Sequence, residues 1–299
     1  MNFKYFIFLL LIFTSCFQSG RSRHHAENYK QAAASNEQVP IRPVSSQNSI
    51  SICSWNLKHF GNSNSDESID FIANTIKDYD IIAIQEVVAG IGGPQAVARL
   101  NDALNRKGSN WDYSISAPTS GSPQSSERYA FIWKTNRLKK VGKAWLDKNF
   151  DVEIQREPYL ITMSAEGEDF TLVNFHAIPR SKQPETEIKY IKYFPDNYES
   201  HRLIFAGDFN IPQSHSVFNP LLSMGFVPVL KGQKTSLRQK CLNNDCLASE
   251  LDNIFYNKFY FQNQGAGIIP FYQAFDELKY ARAISDHVPV FFKFTFLSN

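Results

Sequence analysis

The stretch "LIFAGDFNIP" (Leu203–Pro212) sets four apolar residues against Asp208 and Asn210, with Gly207 at the junction. An unbroken apolar run this short predicts a strand covered on both faces, and its polar end predicts side chains held rigidly at the rim of a cleft. In the expected geometry Gly207 turns the chain into that cleft. Asp208 and Asn210, two apart in an extended segment, then face the same way while Phe209 faces the core.

Other segments end alike. "SISICSWNL" leads to Asn56, "DIIAIQEV" to Glu86 and "LVNFHAIP" to His176, while "SELDNIFY" carries Asp252 and "ISDHVPV" carries Asp286 and His287. One polar residue after a strand is ordinary turn chemistry, but six such ends in one chain call for a site. Between them, "DESIDFIANTIKDY" has Ile69, Ile72, Ala73 and Ile76 at helical spacing. "GGPQAVARLNDALNRKG" gives a second helix, with Pro94 in its first turn and Gly108 at its end, and "PETEIKYIKYF" a third. From Trp111 the strands shorten and alternate: "WDYSISAP", "RYAFIWK", "LKKVGKAWLD" and "PYLITMSAEGEDFTLVNFHA", the last with a turn at "AEGED". No proline-rich linker splits the region, so one domain is expected over 49–299, with two mixed sheets packed face to face and helices outside.

The 299 residues, 43% hydrophobic and 14% aromatic, suffice for a large core. Thirty-one basic and 29 acidic residues leave a formal charge of +2, so no global field draws the chain to nucleic acid or acidic lipid, and an anionic substrate must be gripped locally. Carboxylate and amide oxygens suit a hard cation such as Mg²⁺, with Ca²⁺ or Mn²⁺ as alternatives, and a His–Asp pair can move a proton. Together they point to metal-assisted phosphodiester cleavage. Arg128, Lys134, Arg137, Lys139, Lys140 and Lys143 form the richest basic run, either a phosphate track or a solvated face.

In order and spelling, "WN", "QE", "GDFN" and the C-terminal "SDH" resemble the hallmarks of the endonuclease/exonuclease/phosphatase superfamily. The resemblance implies an α/β fold, a four-layered α/β/β/α sandwich, and a divalent-metal phosphoesterase. It makes Glu86 the principal metal ligand, supported by Asn56 and Asp286. Asp208 and Asn210 would orient water, phosphate or a second metal, and His176 and His287 would form the catalytic pair. Finer spelling is similar to the deoxyribonuclease I branch. "ERY" would supply Glu127 as partner of His176, "REP" would supply Arg156 as a phosphate contact beside Asn210, and "LDNIFY" would supply Asp252 as partner of His287. The branch's groove-inserting positions are Val88 and Ser125 here, so no minor-groove wedge carries over. The reading is a monomeric endonuclease that leaves 5′-phosphate ends on DNA. The alternatives are a phosphodiesterase or phosphatase of the same fold acting on phospholipid head groups or small phosphoesters, and a non-catalytic binding module.

At the N-terminus, "MNFKYFIFLLLIFTSC" has one Lys and an apolar run too short for a comfortable membrane span, which reads as an export signal over residues 1–15. Its ending "FTSC" resembles the lipobox of bacterial lipoproteins. That implies lipidation of Cys16 and an exported protein anchored to a membrane, periplasmic or at the cell surface. Residues 16–48 are polar and read as a tether; His24 and His25 have no third ligand nearby. In an oxidising compartment Cys241 and Cys246 can close a local disulfide across "CLNNDC", leaving Cys53 as a buried thiol.

Overall fold

The computed structural model describes residues 49–122, 126–198 and 202–297. The leader, the tether, Cys16 and Ser125 lie outside the described residues. Sequence and structure agree where the pattern is strongest. The first strand, β1 (Ile50–Phe60), runs parallel to β2 (Ile81–Val88) through helix α1 (Asp66–Ile76), and the apolar positions Ile69, Ile72, Ala73 and Ile76 all face inward. Ser65 caps α1, its hydroxyl oxygen accepting the Ser68 N–H. Helix α2 (Gly92–Asn105) follows β2 and packs beside α1.

The remaining strands are β3 (Trp111–Ile115), β4 (Glu127–Lys134), β5 (Lys139–Leu146), β6 (Tyr159–Ala165), β7 (Glu168–His176), β8 (Leu203–Asp208), β9 (Phe226–Pro228), β10 (Leu237–Leu242), β11 (Asp245–Leu247), β12 (Asp252–Asn257), β13 (Phe261–Ile268) and β14 (Val290–Phe296). One six-stranded sheet has the order β13-β14-β1-β2-β4-β3 and the other β5-β6-β7-β8-β12-β9, while β10 and β11 form a separate hairpin. Ile52, Ala83 and Phe131 of the first sheet meet Ile161, Leu172 and Ile254 of the second across an apolar central layer. Outside the first sheet lie α1, α2 and α6 (Leu278–Ile284). Outside the second lie the short helices α3 (Glu185–Ile188), α4 (Phe194–Asn197) and α5 (Asn219–Ser223). The result is the four-layered sandwich.

Three local expectations need correction. The stretch expected as one helix over "PETEIKYIKYF" is broken into α3, a 3-10 turn at Ile191–Tyr193 and α4, with Pro195 in the first turn of α4. Gly207 does not turn the chain: β8 continues through it, paired with Phe175 on one side and Asn253 on the other. A Cβ there would lie 1.8 Å from the Phe175 carbonyl oxygen, so the glycine permits close approach of β7. Asn210 lies beyond the strand with φ 56°, in the left-handed region. The bend therefore comes three residues later than expected, while Phe209 is buried and stacks on Phe175 as its spacing required.

The basic run also divides. Lys134 and Arg137 face Asp80, which precedes β2, and Lys139 pairs with Ser164 near the end of β6. All three lie at the edge of the sandwich opposite to Glu86, His176 and Asp208. Arg128 remains near the site, but its guanidinium donates to the carbonyls of Ala89 and Ser116, which makes it a clamp between two loops.

Gly207→Ala is expected to destabilise the protein by about 3 kcal/mol or more, because the colliding atom is backbone and cannot move aside. Urea unfolding checks this; a loss below about 1 kcal/mol would show that β7 and β8 can spread.

Candidate active site

Residues from both sheets converge at one edge. β7 and β8 end side by side, with His176 in register with Asp208, and β12 begins opposite Asp208 with Asp252. Asn56 pairs with Gln85, and Glu86 follows at a bulge that interrupts the pairing of β2 with both its neighbours. Glu86 has φ 60°, a strained conformation for a residue with a Cβ, so the bulge aims the carboxylate out of the sheet instead of into it.

The contacts join into a chain. Glu127 accepts from His176 Nδ1, with its carboxylate oxygens at 2.9 and 3.0 Å, and the other ring nitrogen of His176 lies 3.5 Å from Asp208 Oδ2. Asp208 Oδ2 also accepts from Asn56 Nδ2 at 3.1 Å, and that same amide nitrogen donates to Glu86 Oε1 at 3.0 Å. On the far side, His287 Nδ1 lies 2.8 Å from Asp252 Oδ2 and 3.7 Å from Asp208 Oδ2. Asp208 thus stands between two carboxylate-held imidazoles. Asn210 donates its N–H to Asp208 Oδ1 and its side-chain amide to the Ala177 carbonyl.

Neighbours set the protonation of these groups. Burial works to deprotonate His287, but the carboxylates of Asp252 and Asp208 beside it win and push it up to about 10. Burial likewise opposes the charge on His176, and Glu127 raises it above the ordinary histidine value. Burial would raise the Glu86 carboxyl, yet the positive His176, the Asn56 amide and the His59 N–H together hold it below the usual range. His287 is therefore held protonated in the metal-free protein, while Glu86 is biased toward its carboxylate form.

Asn56 Oδ1 is buried without a hydrogen-bond partner, next to the ionised Glu86. An orphaned amide oxygen beside a carboxylate is the donor set of a hard divalent cation, so these residues fit one. Asp208, Asp252 and His287 also offer ligand atoms within 4.8 Å of one another. There, however, His287 Nδ1 and Asp252 Oδ2 are each other's hydrogen-bond partners, and a cation would have to break that bond. Asp286 is not part of the hydrogen-bonded chain; its Oδ2 faces Arg282 at 3.1 Å and Lys58 at 3.7 Å. Arg156 likewise sits behind the site. Its Nη1 donates to Glu127 at 3.1 Å and its Nη2 to the Ala177 carbonyl, while its buried Nε lacks a partner.

Several holders escaped the sequence reading. Trp55 Nε1 donates to the His287 carbonyl at 2.9 Å, and Ser285 Oγ bridges the Asn56 carbonyl and the His287 N–H. Gln85 donates to Asn174 Oδ1 between the sheets, and Thr235 binds Asp252. The signal was present for three of them, since Trp55, Gln85 and Ser285 lie within two residues of a chemical residue in its motif. Away from this centre, Cys241 and Cys246 are joined as a disulfide in the β10–β11 hairpin, and Cys53 is a buried free thiol.

Two facing mixed sheets with a His–carboxylate centre at one shared edge define a hydrolase of the nuclease and phosphatase class. The chain belongs to the endonuclease/exonuclease/phosphatase family, whose model matches residues 53–287; that family generally depends on divalent metal. The chain is similar to a deoxyribonuclease of Thioalkalivibrio sp., 26% identical over 277 residues that cover 86% of this chain and 74% of the relative. Human deoxyribonuclease gamma is 28% identical over 174 residues, about half of each chain (53% and 55%). A solved Bacteroides thetaiotaomicron mannosyl-6-phosphatase superposes with a TM-score of 0.60 at 18% identity, covering 83% of this chain and 100% of its own.

The His287 value gives a pH test in metal-free protein. A histidine raised from 6.5 to about 10 on folding lends stability that is complete below pH 6.5 and lost as pH rises through about 10. The unfolding free energy of wild type minus that of His287→Asn should fall over this window. A flat difference would show that the imidazole is neutral in the fold.

Proposed function

We propose that the protein is a divalent-metal-dependent phosphodiesterase, and specifically an exported deoxyribonuclease I-like endonuclease that cuts DNA to 5′-phosphate ends. The observation that carries this is Asp208 held between the Glu127–His176 and Asp252–His287 pairs, with Glu86 and Asn56 attached through one amide. The similarity to deoxyribonucleases supports the choice of substrate.

Glu86 and Asn56 Oδ1 would hold the cation, which supplies stabilisation of the negative charge that builds on the phosphoryl oxygens. Asp208, oriented by the Asn210 N–H, positions the attacking water. His176, fixed by Glu127 through Nδ1, takes the water proton on Nε2 as the new P–O bond forms. His287, kept protonated by Asp252, delivers a proton to the oxygen of the P–O bond that breaks. Asn210 can direct its second amide hydrogen to a phosphate oxygen. Arg156 acts one step back, orienting Glu127 and adding positive charge behind the site.

A second reading keeps the centre and changes the substrate to a small phosphoester or phospholipid head group. Val88 favours it, being an apolar, partly buried residue packed near Gly61 where a groove-inserting cation would be needed. Export and anchoring through Cys16 belong to the proposal and rest on the leader sequence.

Purified protein with Mg²⁺ should nick supercoiled plasmid and stop with EDTA. Release of phosphocholine or inorganic phosphate from small substrates without nicking would establish the second reading. His176→Ala and His287→Ala should each lower kcat by about two to four orders of magnitude, and near-normal turnover would remove that histidine from the mechanism. Glu86→Gln should abolish the Mg²⁺ titration of activity; an unchanged titration moves the cation elsewhere. Palmitate labelling lost in Cys16→Ala would mark the anchor, and retained labelling would refute it.

A further inference from the structure

Thr235 lies outside every motif that names the site, on the segment leading into β10, and is 0% exposed. Its Oγ1 accepts two backbone N–H groups, from Leu251 at 3.1 Å and from Asp252 at 2.9 Å. With both lone pairs occupied, the hydroxyl hydrogen has one direction left, toward Asp252 Oδ2 at 2.7 Å. That oxygen is the one that faces His287 Nδ1. A hydroxyl that can only donate needs an acceptor opposite it, so Oδ2 is turned to the Thr235 hydroxyl and to His287 Nδ1 at once. The carboxylate's rotation is fixed by the same bond.

The mounting of Thr235 is as rigid as its hydroxyl. Its N–H donates to the Ser249 carbonyl and its own carbonyl accepts from Val288 N–H, both at 2.7 Å. Ser236 bridges to His287, and Leu237 N–H donates to the Asp286 carbonyl. Arg282 closes the other side by donating to the Leu237 carbonyl while pairing with Asp286. The β10–β11 hairpin, closed by Cys241–Cys246, therefore grows directly out of the Thr235 segment, which pairs with the segment that carries His287.

We propose that Thr235 is a positioning residue for the Asp252–His287 pair, fixing the carboxylate so that the imidazole presents its proton to the leaving oxygen. The inference rests on the phosphodiesterase reading of the site. Thr235→Val keeps the shape and loses the donor, whereas Thr235→Ser keeps the donor. In full-length protein with Mg²⁺, acting on bis(p-nitrophenyl) phosphate and supercoiled plasmid, the valine variant should lose about 10–100-fold in kcat with KM within about twofold. The serine variant should return to within about threefold of wild type. A valine variant with wild-type kcat, or one that loses only KM, overturns the proposal.

Metal-free protein gives a readout that needs no turnover. The His287 Nδ1 proton should exchange with solvent at similar rates in wild type and Thr235→Ser. It should exchange about tenfold faster in Thr235→Val, or in Thr235→Ala should the valine variant not fold. Equal exchange in all variants overturns the positioning role. Should wild type cleave neither substrate, the phosphodiesterase reading is what fails, and proton exchange alone then decides the role of Thr235.

Discussion

Between the two sheets, where the core is otherwise apolar, the Gln85 amide donates to Asn174 Oδ1 at 2.6 Å, and the Asn174 amide donates to the carbonyls of Ile84 and Ala130. Both side chains are fully buried, so water cannot substitute for either partner and the bonds hold only at one register of sheet on sheet. Glu86 is the next residue after Gln85, and His176 is two beyond Asn174. The pair thus fixes the offset at which half of the site, on β1, β2, β4 and the segment before β14, meets the other half on β7, β8 and β12. Asn56 then completes the join, one amide nitrogen touching Glu86 of its own sheet and Asp208 of the other.

Much of this was legible because each motif carries a holder beside its chemical residue. Trp55 steadies His287 and precedes Asn56; Gln85 steadies the sheet contact and precedes Glu86; Ser285 ties Asn56 to His287 and stands two before it. The strands of strong apolar pattern, β1, β2, β4, β7, β8, β12 and β14, were readable for the same reason that they are rigid: nearly every side chain is buried. What stayed hidden has weak local signal. β10 is mostly exposed and polar, β9 spans three residues, and Thr235 is an ordinary threonine until the fold brings Asp252 to it across 17 positions. Arg156 and Asp286 are engaged by Glu127 and Arg282, partners that their own motifs do not spell out.

Charged side chains near the site also tie its loops together. Arg128 joins the loop after β2 to the loop after β3 through carbonyls of Ala89 and Ser116. Glu157, beside Arg156, accepts the Ser120 N–H and approaches Lys148. Charge spent on backbone is unavailable to an anion, and Lys58, near the centre, is itself paired with Asp286 at 3.7 Å.

The apolar layer between the sheets also sets a distance. Because Asn56, Glu86, Glu127 and His287 belong to the first sheet or the segment leading into it, and His176, Asp208 and Asp252 to the second, the filling of Phe131, Leu172 and Ile254 acts as a spacer that sets how far apart the two halves of the site stand. A close-packed interior transmits small volume changes as displacement. In this architecture the hydrophobic core is therefore part of the catalyst's ruler, and drift in its side-chain volumes over evolution must be compensated within the layer for the site to stay in alignment.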